Sequence, residues 1–152
     1  MTMRNLVLSL LLLMPTVALA NTELEGLSLN GMAVFSELKR PIYLAALYVA
    51  TPQTDAGAII DSDEAKAMEL TVTASRWSSR RFSEQLSRAL LINNDLEYLK
   101  QYDVEVIEFS GVLKGSLKQG DKVVILRGSK GETLVSVNGT QLLELNKPGF
   151  YE

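Results

Sequence analysis

The chain of 152 residues contains no cysteine and no histidine, and these two absences bound its chemistry more tightly than any motif it carries. Without Cys there is no disulfide, no thiolate nucleophile and no thiolate metal site. Without His there is no imidazole to serve as general base or metal ligand near neutral pH, which removes the Ser-His-Asp arrangement and the usual zinc sites. Catalysis would fall to Lys, Arg, Tyr or a carboxylate, no metal site or cofactor is expected, and stability must come from the core. An excess of positive charge is also missing: 15 basic side chains face 18 acidic ones, a net charge of -3, which argues against nucleic acid or an anionic membrane surface as partner. After the first twenty residues there is no low-complexity linker, internal repeat or second candidate membrane span.

Residues 1–20 read as a secretory signal peptide. Arg4 is the only charge, Leu6 to Leu13 is almost wholly apolar, and Ala18-Leu19-Ala20 supplies a small-x-small cleavage site. Pro15 interrupts the apolar run, which is shorter than the roughly 18 to 20 residues of a spanning helix. No integral membrane association is therefore expected after cleavage. With no Cys after the cut the lipoprotein route is closed, and in a Gram-negative source the product is periplasmic. Residues 21–152 then have the size of one domain.

Leu29 to Pro52, LNGMAVFSELKRPIYLAALYVATP, is the expected centre of the fold. Asn30-Gly31 offers turn chemistry, Met32 to Leu38 a first strand, Lys39-Arg40-Pro41 a polar connection, and Ile42 to Ala50 a second strand apolar on both faces, as a strand covered on both sides requires. Asn21 to Ser28 reads as an edge strand or an entry to the turn. Thr51 to Asp63 reads as a turn and short helix with Thr54 as N-cap and Ala56, Ile59 and Ile60 inward. In Ala67 to Ala74, Met68, Leu70 and Val72 alternate with Glu69, Thr71 and Thr73, placing one face on the core and one in water. A helix capped by Ser78 or Ser79 runs to about Ile92, with Phe82, Leu86, Ala89 and Leu90 as its apolar stripe. Asn94 as N-cap with Glu97 opens a second helix over Leu96 to Phe109, giving an antiparallel pair against the sheet. Lys122 to Arg127, Thr133 to Val137 and Gln141 to Leu145 form a meander turned at Asn138-Gly139; Asn138-Gly139-Thr140 also matches a glycosylation acceptor, but the hairpin accounts for the residues.

Leu-Asn-Gly, a short apolar run, then Tyr-Leu-Ala-Ala-Leu-Tyr-Val followed by Pro and Thr-Asp-Ala resembles the opening of bacterial chalcone isomerase-like domains. Phe82 to Leu91 resembles that family's first long helix, and Leu117 to Asp121 with Val137-Asn138-Gly139 its later strand pair. The resemblance implies an α+β fold, an antiparallel β-sheet with a helical pair packed on one face, as an open-faced sandwich. Family members continue past the equivalent of Asn146 to Glu152 into one or more helices. A shortened member with an exposed sheet face and a truncated reading frame are the two expectations here, with Phe150 and Tyr151 folding back as a stub.

In true chalcone isomerases an Arg holds the substrate oxyanion, and a Thr, a Tyr and an Asn position water and carbonyl; the cyclisation needs charge stabilisation more than a strong base. The resemblance carries these positions onto Phe35, Tyr43, Phe82 and Ala89, none of which keeps the catalytic type. A slip near Phe35 would offer Lys39 or Arg40 as anion partner, but Pro41 fixes the register. The substitutions make a more apolar cavity, lined by Tyr43, Ala45, Leu47, Phe82, Leu86 and Ala89 with Phe35 beside it. Noncatalytic relatives in the family bind fatty acids there through an Arg and a Tyr. The same residues could instead simply fill the core. Arg76, Arg80 and Arg81, with Trp77 and Arg88 near them, gather at one helix start, where an anion could dock or a solvated face could lie.

The resulting expectation is a noncatalytic periplasmic protein whose ligand is a small apolar carboxylate such as a fatty acid. An isomerase of the intramolecular-lyase type and an accessory protein that docks a protein partner through an exposed sheet face are the alternatives.

Overall fold

A computed structural model describes residues 24–151; the expected signal peptide lies outside the described residues. The elements in chain order are β1 (Ser28–Glu37), β2 (Arg40–Val49), α1 (Ala56–Ile60), β3 (Lys66–Val72), β4 (Arg76–Ser78), α2 (Ser79–Asn93), α3 (Leu96–Gln101), α4 (Asp103–Ser110), β5 (Ser116–Lys118), β6 (Lys122–Arg127), β7 (Thr133–Val137) and β8 (Thr140–Leu145). Six strands form one sheet in the order β1-β2-β3-β6-β7-β8, every neighbouring pair antiparallel. Helices α2, α3 and α4 enter between β3 and β6, framed by the β4-β5 ladder, while α1 lies between β2 and β3. This is the expected α+β fold, an antiparallel sheet with helices.

The core lies on one face of the sheet. Tyr43 and Ala45 of β2, Met68, Leu70 and Val72 of β3, Val123 and Ile125 of β6 and Val135 and Val137 of β7 join one cluster with Trp77, Phe82 and Leu86. Phe109, Leu113 and Leu117 complete it. These strand residues alternate, as the two-residue period of a strand requires. On the other face of β2, Ile42 and Ala46 are buried while Leu44 and Tyr48 stay partly exposed, so cover there is partial. Among the described residues no helix is long and apolar enough to cross a membrane.

Several local expectations shift. Asn30-Gly31 is not a turn: β1 runs through it with a register shift between Leu29 and Gly31, and the Asn30 side chain accepts a hydrogen bond from the Gln53 backbone N–H at 2.9 Å. The reversal falls at Leu38-Lys39, and Pro41 lies inside β2 at a second irregularity, opposite Ser36, where a missing N–H costs little. Asp55 rather than Thr54 caps α1, accepting from the Ala58 N–H at 3.1 Å, and Ile60 is exposed. Glu69 is buried and paired with Lys122 at 3.1 Å, because β3 is central, between β2 and β6, and not half-solvated.

Ser78 caps α2 as expected, its hydroxyl accepting from the Arg81 N–H. Asn94 is the C-cap of α2 and not the N-cap of the next helix; its N–H and side chain both donate to the Leu90 carbonyl. The expected second helix breaks in two at Tyr102, whose φ of -119° and ψ of 27° leave the helical region. Its N–H closes on the Leu99 carbonyl, three residues back, and its buried ring and hydroxyl are held by the chain end: the hydroxyl donates to the Pro148 carbonyl at 3.1 Å. Tyr98 donates to the Gly149 carbonyl, and Phe150 packs edge-on against Tyr102 and Phe109.

The two hairpin turns differ in quality. Asn138-Gly139 has φ of 51° and 78°, the left-handed pair of a two-residue turn on the residues best suited to it. Leu38-Lys39 takes φ of 48° and 64° with ordinary side chains, and Leu38 is 97% exposed. Left-handed backbone costs such residues about 1 kcal/mol or more each. Replacing Leu38-Lys39 by Asn-Gly should raise the unfolding free energy by about 1–2 kcal/mol; an unchanged urea midpoint would contradict strain at this turn. At the other end of the chain, burial pushes the Tyr151 hydroxyl up to about 12 from an ordinary 10.0, with Arg127 pulling the other way. The unfolded state therefore loses this proton first, and stability should fall as pH rises from 10.0 to about 12. Tyr151→Phe should flatten that alkaline decline.

Candidate functional site

The site is built where the β1-β2 hairpin faces α2. Register pairs Phe35 with Tyr43 across the two strands, and their rings stack at 4.9 Å. Tyr43 stacks on Trp77 at 4.8 Å, and Trp77 meets Phe82 edge-on at 5.3 Å. The four rings make one aromatic run from the sheet edge into the core, each contact worth about 0.5–1.5 kcal/mol beyond its burial. Trp77 and Phe82 are buried, while Phe35 is exposed, so the run passes from protein interior to solvent.

Two adjacent stripes of α2 form the opposite wall. Phe82, Leu86 and Ala89 follow an i, i+4, i+7 spacing; Arg81, Gln85, Arg88 and Ile92 follow i, i+4, i+7 and i+11. Their seam opens a cleft of about 540 Å³ whose rim carries Glu37, Arg81, Glu84, Arg88 and Asn93. Tyr43, Gln85 and Ala89 are shared with a smaller chamber of about 110 Å³, lined as well by Leu70, Trp77, Phe82, Leu86 and Ile125. The lining thus grades from charged at the rim to mostly apolar in the smaller chamber. The outer volume falls in the range of ligand sites and the inner one below it.

Glu37, the last residue of β1, crosses the mouth. One carboxylate oxygen accepts from the Gln85 side-chain amide, and the other lies 3.8 Å from the Arg81 guanidinium. The Gln85 carbonyl oxygen and the Trp77 indole N–H are buried and find no hydrogen-bond partner among the described residues. Glu84 pairs with Arg80 at 3.8 Å; among the described residues Arg88 has no ion pair. Burial, and secondarily the Glu37 charge, raise the Tyr43 hydroxyl above its ordinary pKa of 10.0. It is therefore a phenol, able to donate a hydrogen bond, at neutral pH.

Of the residues expected to line a ligand site, Phe35, Tyr43, Phe82, Leu86 and Ala89 surround this cavity. The four positions matched to chalcone isomerase catalysis are all among them. Ala45 and Leu47 are not: they lie two and four residues beyond Tyr43 on the same sheet face, opposite Leu70 and Met68. Arg76, Arg80 and Arg81, expected to gather at one helix start, make three different contacts. Arg76 donates to the Ser116 hydroxyl across the β4-β5 ladder at 2.9 Å, Arg80 points to Glu84, and only Arg81 reaches the cleft. Glu37, Gln85 and the Arg88 position on the cleft were missed, although the second stripe of α2 was readable from its spacing. Among the described residues no group of acidic side chains could hold a metal ion.

A one-sided antiparallel sheet with an inserted helical arm, and a cavity between the hairpin and the first long helix, define the class of α+β domain. The chain belongs to the chalcone isomerase-like family, whose model matches residues 13–152. Among solved structures it is similar to a fatty-acid binding protein of Arabidopsis thaliana, with 10% identity and a TM-score of 0.62 over 81% of this chain and 74% of that one. No curated protein matches the chain in sequence.

Titration of Tyr43, isolated by difference against Tyr43→Phe, should give phenolate only above the ordinary tyrosine range. Glu37→Gln should return the smaller part of the shift, since burial is the larger cause. A Tyr43 that ionises at or below the ordinary range would contradict the enclosed geometry.

Proposed function

We propose that the protein is a noncatalytic carrier or sensor of a small apolar carboxylate such as a fatty acid, acting in the periplasm after removal of the leader. The observation that carries this reading is the grading of one cavity from a mouth rimmed by Arg81 and Arg88 to an apolar interior with few polar atoms. Arg81, with Arg88 beside it on the rim, offers a carboxylate a guanidinium, and Tyr43 offers a protonated hydroxyl. The fold-level likeness to a protein that binds fatty acids adds a weaker support. A chalcone-type cyclisation has less behind it: Phe35 stands where the oxyanion-holding guanidinium would be needed.

The dimensions narrow the ligand. A chamber of about 110 Å³ holds about four water-sized groups, so only the end of an alkyl chain fits inside and the remainder lies along the outer cleft. Burying four methylenes yields about 3 kcal/mol, far from the roughly 8 kcal/mol of micromolar binding. Affinity then depends on the head group as much as on the tail, and medium chains suit the site better than long ones.

Trp77, the single tryptophan, forms part of the chamber wall and serves as an internal reporter. Titration with decanoate should change its emission saturably, and native mass spectrometry should show a one-to-one adduct. Ala89→Phe, at an exposed helical position shared by cleft and chamber, should abolish both signals while shifting stability by no more than about 0.5 kcal/mol. A protein whose emission and mass are unmoved by decanoate and by its longer homologues would refute the carrier reading.

A further inference from the structure

The anion seat at the cleft mouth is already filled by the protein itself. Glu37 presents a carboxylate to the two groups a ligand carboxylate would use there, the Gln85 amide N–H and the Arg81 guanidinium at 3.8 Å. The Glu37 and Arg81 side chains are 39% and 60% exposed, so the pair is solvated and weak and can be exchanged without stranding a buried charge. The hairpin tip beside it is the strained Leu38-Lys39 turn, which fixes the end of β1 over α2. The Gln85 carbonyl remains buried and unpaired while its amide is engaged, so the present arrangement satisfies only half of that side chain.

We propose that Glu37 is the specificity-determining residue of the cleft: it mimics a ligand head group in the empty protein, and a carboxylate ligand binds by displacing it from Arg81 and Gln85. This rests on the carboxylate-binding reading above and deepens it. Displacement makes carboxylates bind less tightly than the cavity alone would allow, because each must replace an existing partner and then lie near the displaced Glu37 charge. A neutral ligand of the same length leaves Glu37 in place and escapes that penalty. Glu37 thus narrows the difference in affinity between an acid and the corresponding alcohol.

Decanoate and decan-1-ol, titrated against Trp77 emission, test this directly. Glu37→Gln should bind decanoate roughly two- to fivefold tighter with decan-1-ol unchanged. Glu37→Asp keeps the charge but shortens the reach by one methylene, and should also tighten decanoate binding. In an Arg81→Met background both gains should disappear. Equal gains with and without Arg81, or a gain for Gln but none for Asp, would show Glu37 acting as a distant repulsive charge and overturn the displacement. Unaltered decanoate affinity in every Glu37 variant would overturn it as well while leaving the carrier reading intact, whereas failure of all forms to bind either probe would overturn both. Because Glu37 is partly exposed, circular dichroism melts of the variants should superimpose on that of the native chain.

Discussion

Trp77 packed between Tyr43 and Phe82 is the contact on which the structure depends. It brings together β2, the short β4 strand and the first turn of α2, three elements that no backbone ladder connects. The sheet supplies one apolar face, and β4 paired with β5 holds the start of α2 above it. Ser78 caps that helix within the same three-residue strand. A shift of Trp77 would therefore move the cap, the helix axis and the cavity wall together. Its unpaired indole N–H shows the weight of packing here: burying a donor without a partner costs about 1–3 kcal/mol, and ring contacts with apolar burial outweigh it.

A second constraint follows from the one-sided core. A sheet that packs on one face leaves the other to its own side chains, and here small or paired groups occupy its centre: Ala46, Ala67 and the Glu69-Lys122 pair. The helical arm on the packed face is discontinuous because its far end is tied to the chain terminus. Tyr98 and Tyr102 reach the carbonyls of Gly149 and Pro148, and Phe150 fills the angle between Tyr102 and Phe109. This is the fold-back expected of the aromatic tail residues, joined to the break in the helix by shared contacts.

Much of this architecture was legible in the sequence. Period-two alternation in Met68-Leu70-Val72, the Ser78 cap with the Phe82-Leu86-Ala89 spacing, and Asn138-Gly139 each rest on local chemistry that tertiary context reinforces. What could not be read depends on distant partners. Asn30-Gly31 has turn chemistry, but Gln53 uses the Asn30 side chain and the strand continues through it. Leu38-Lys39 has no turn chemistry, yet the register of β1 against β2 places the reversal there. Glu69 looked solvated until β6 brought Lys122 beside it. At the site, the apolar half of the cavity followed from the α2 stripe. The polar half did not, because Glu37 meets Gln85 from 48 residues away in sequence.

The strand order carries a kinetic consequence. β1-β2-β3 and β6-β7-β8 are each three-stranded meanders whose partners are near neighbours along the chain, so each can assemble from local contacts. The seam between them cannot. Glu69 and Lys122, which meet across β3 and β6, stand 53 residues apart, and closing a loop of that length costs roughly 3.5 kcal/mol in chain entropy. The helices of the intervening segment shorten that loop as they form. Folding speed is then set less by the strands than by how soon the helical insert becomes compact, and the two half-sheets wait as preassembled pieces for their joint to close.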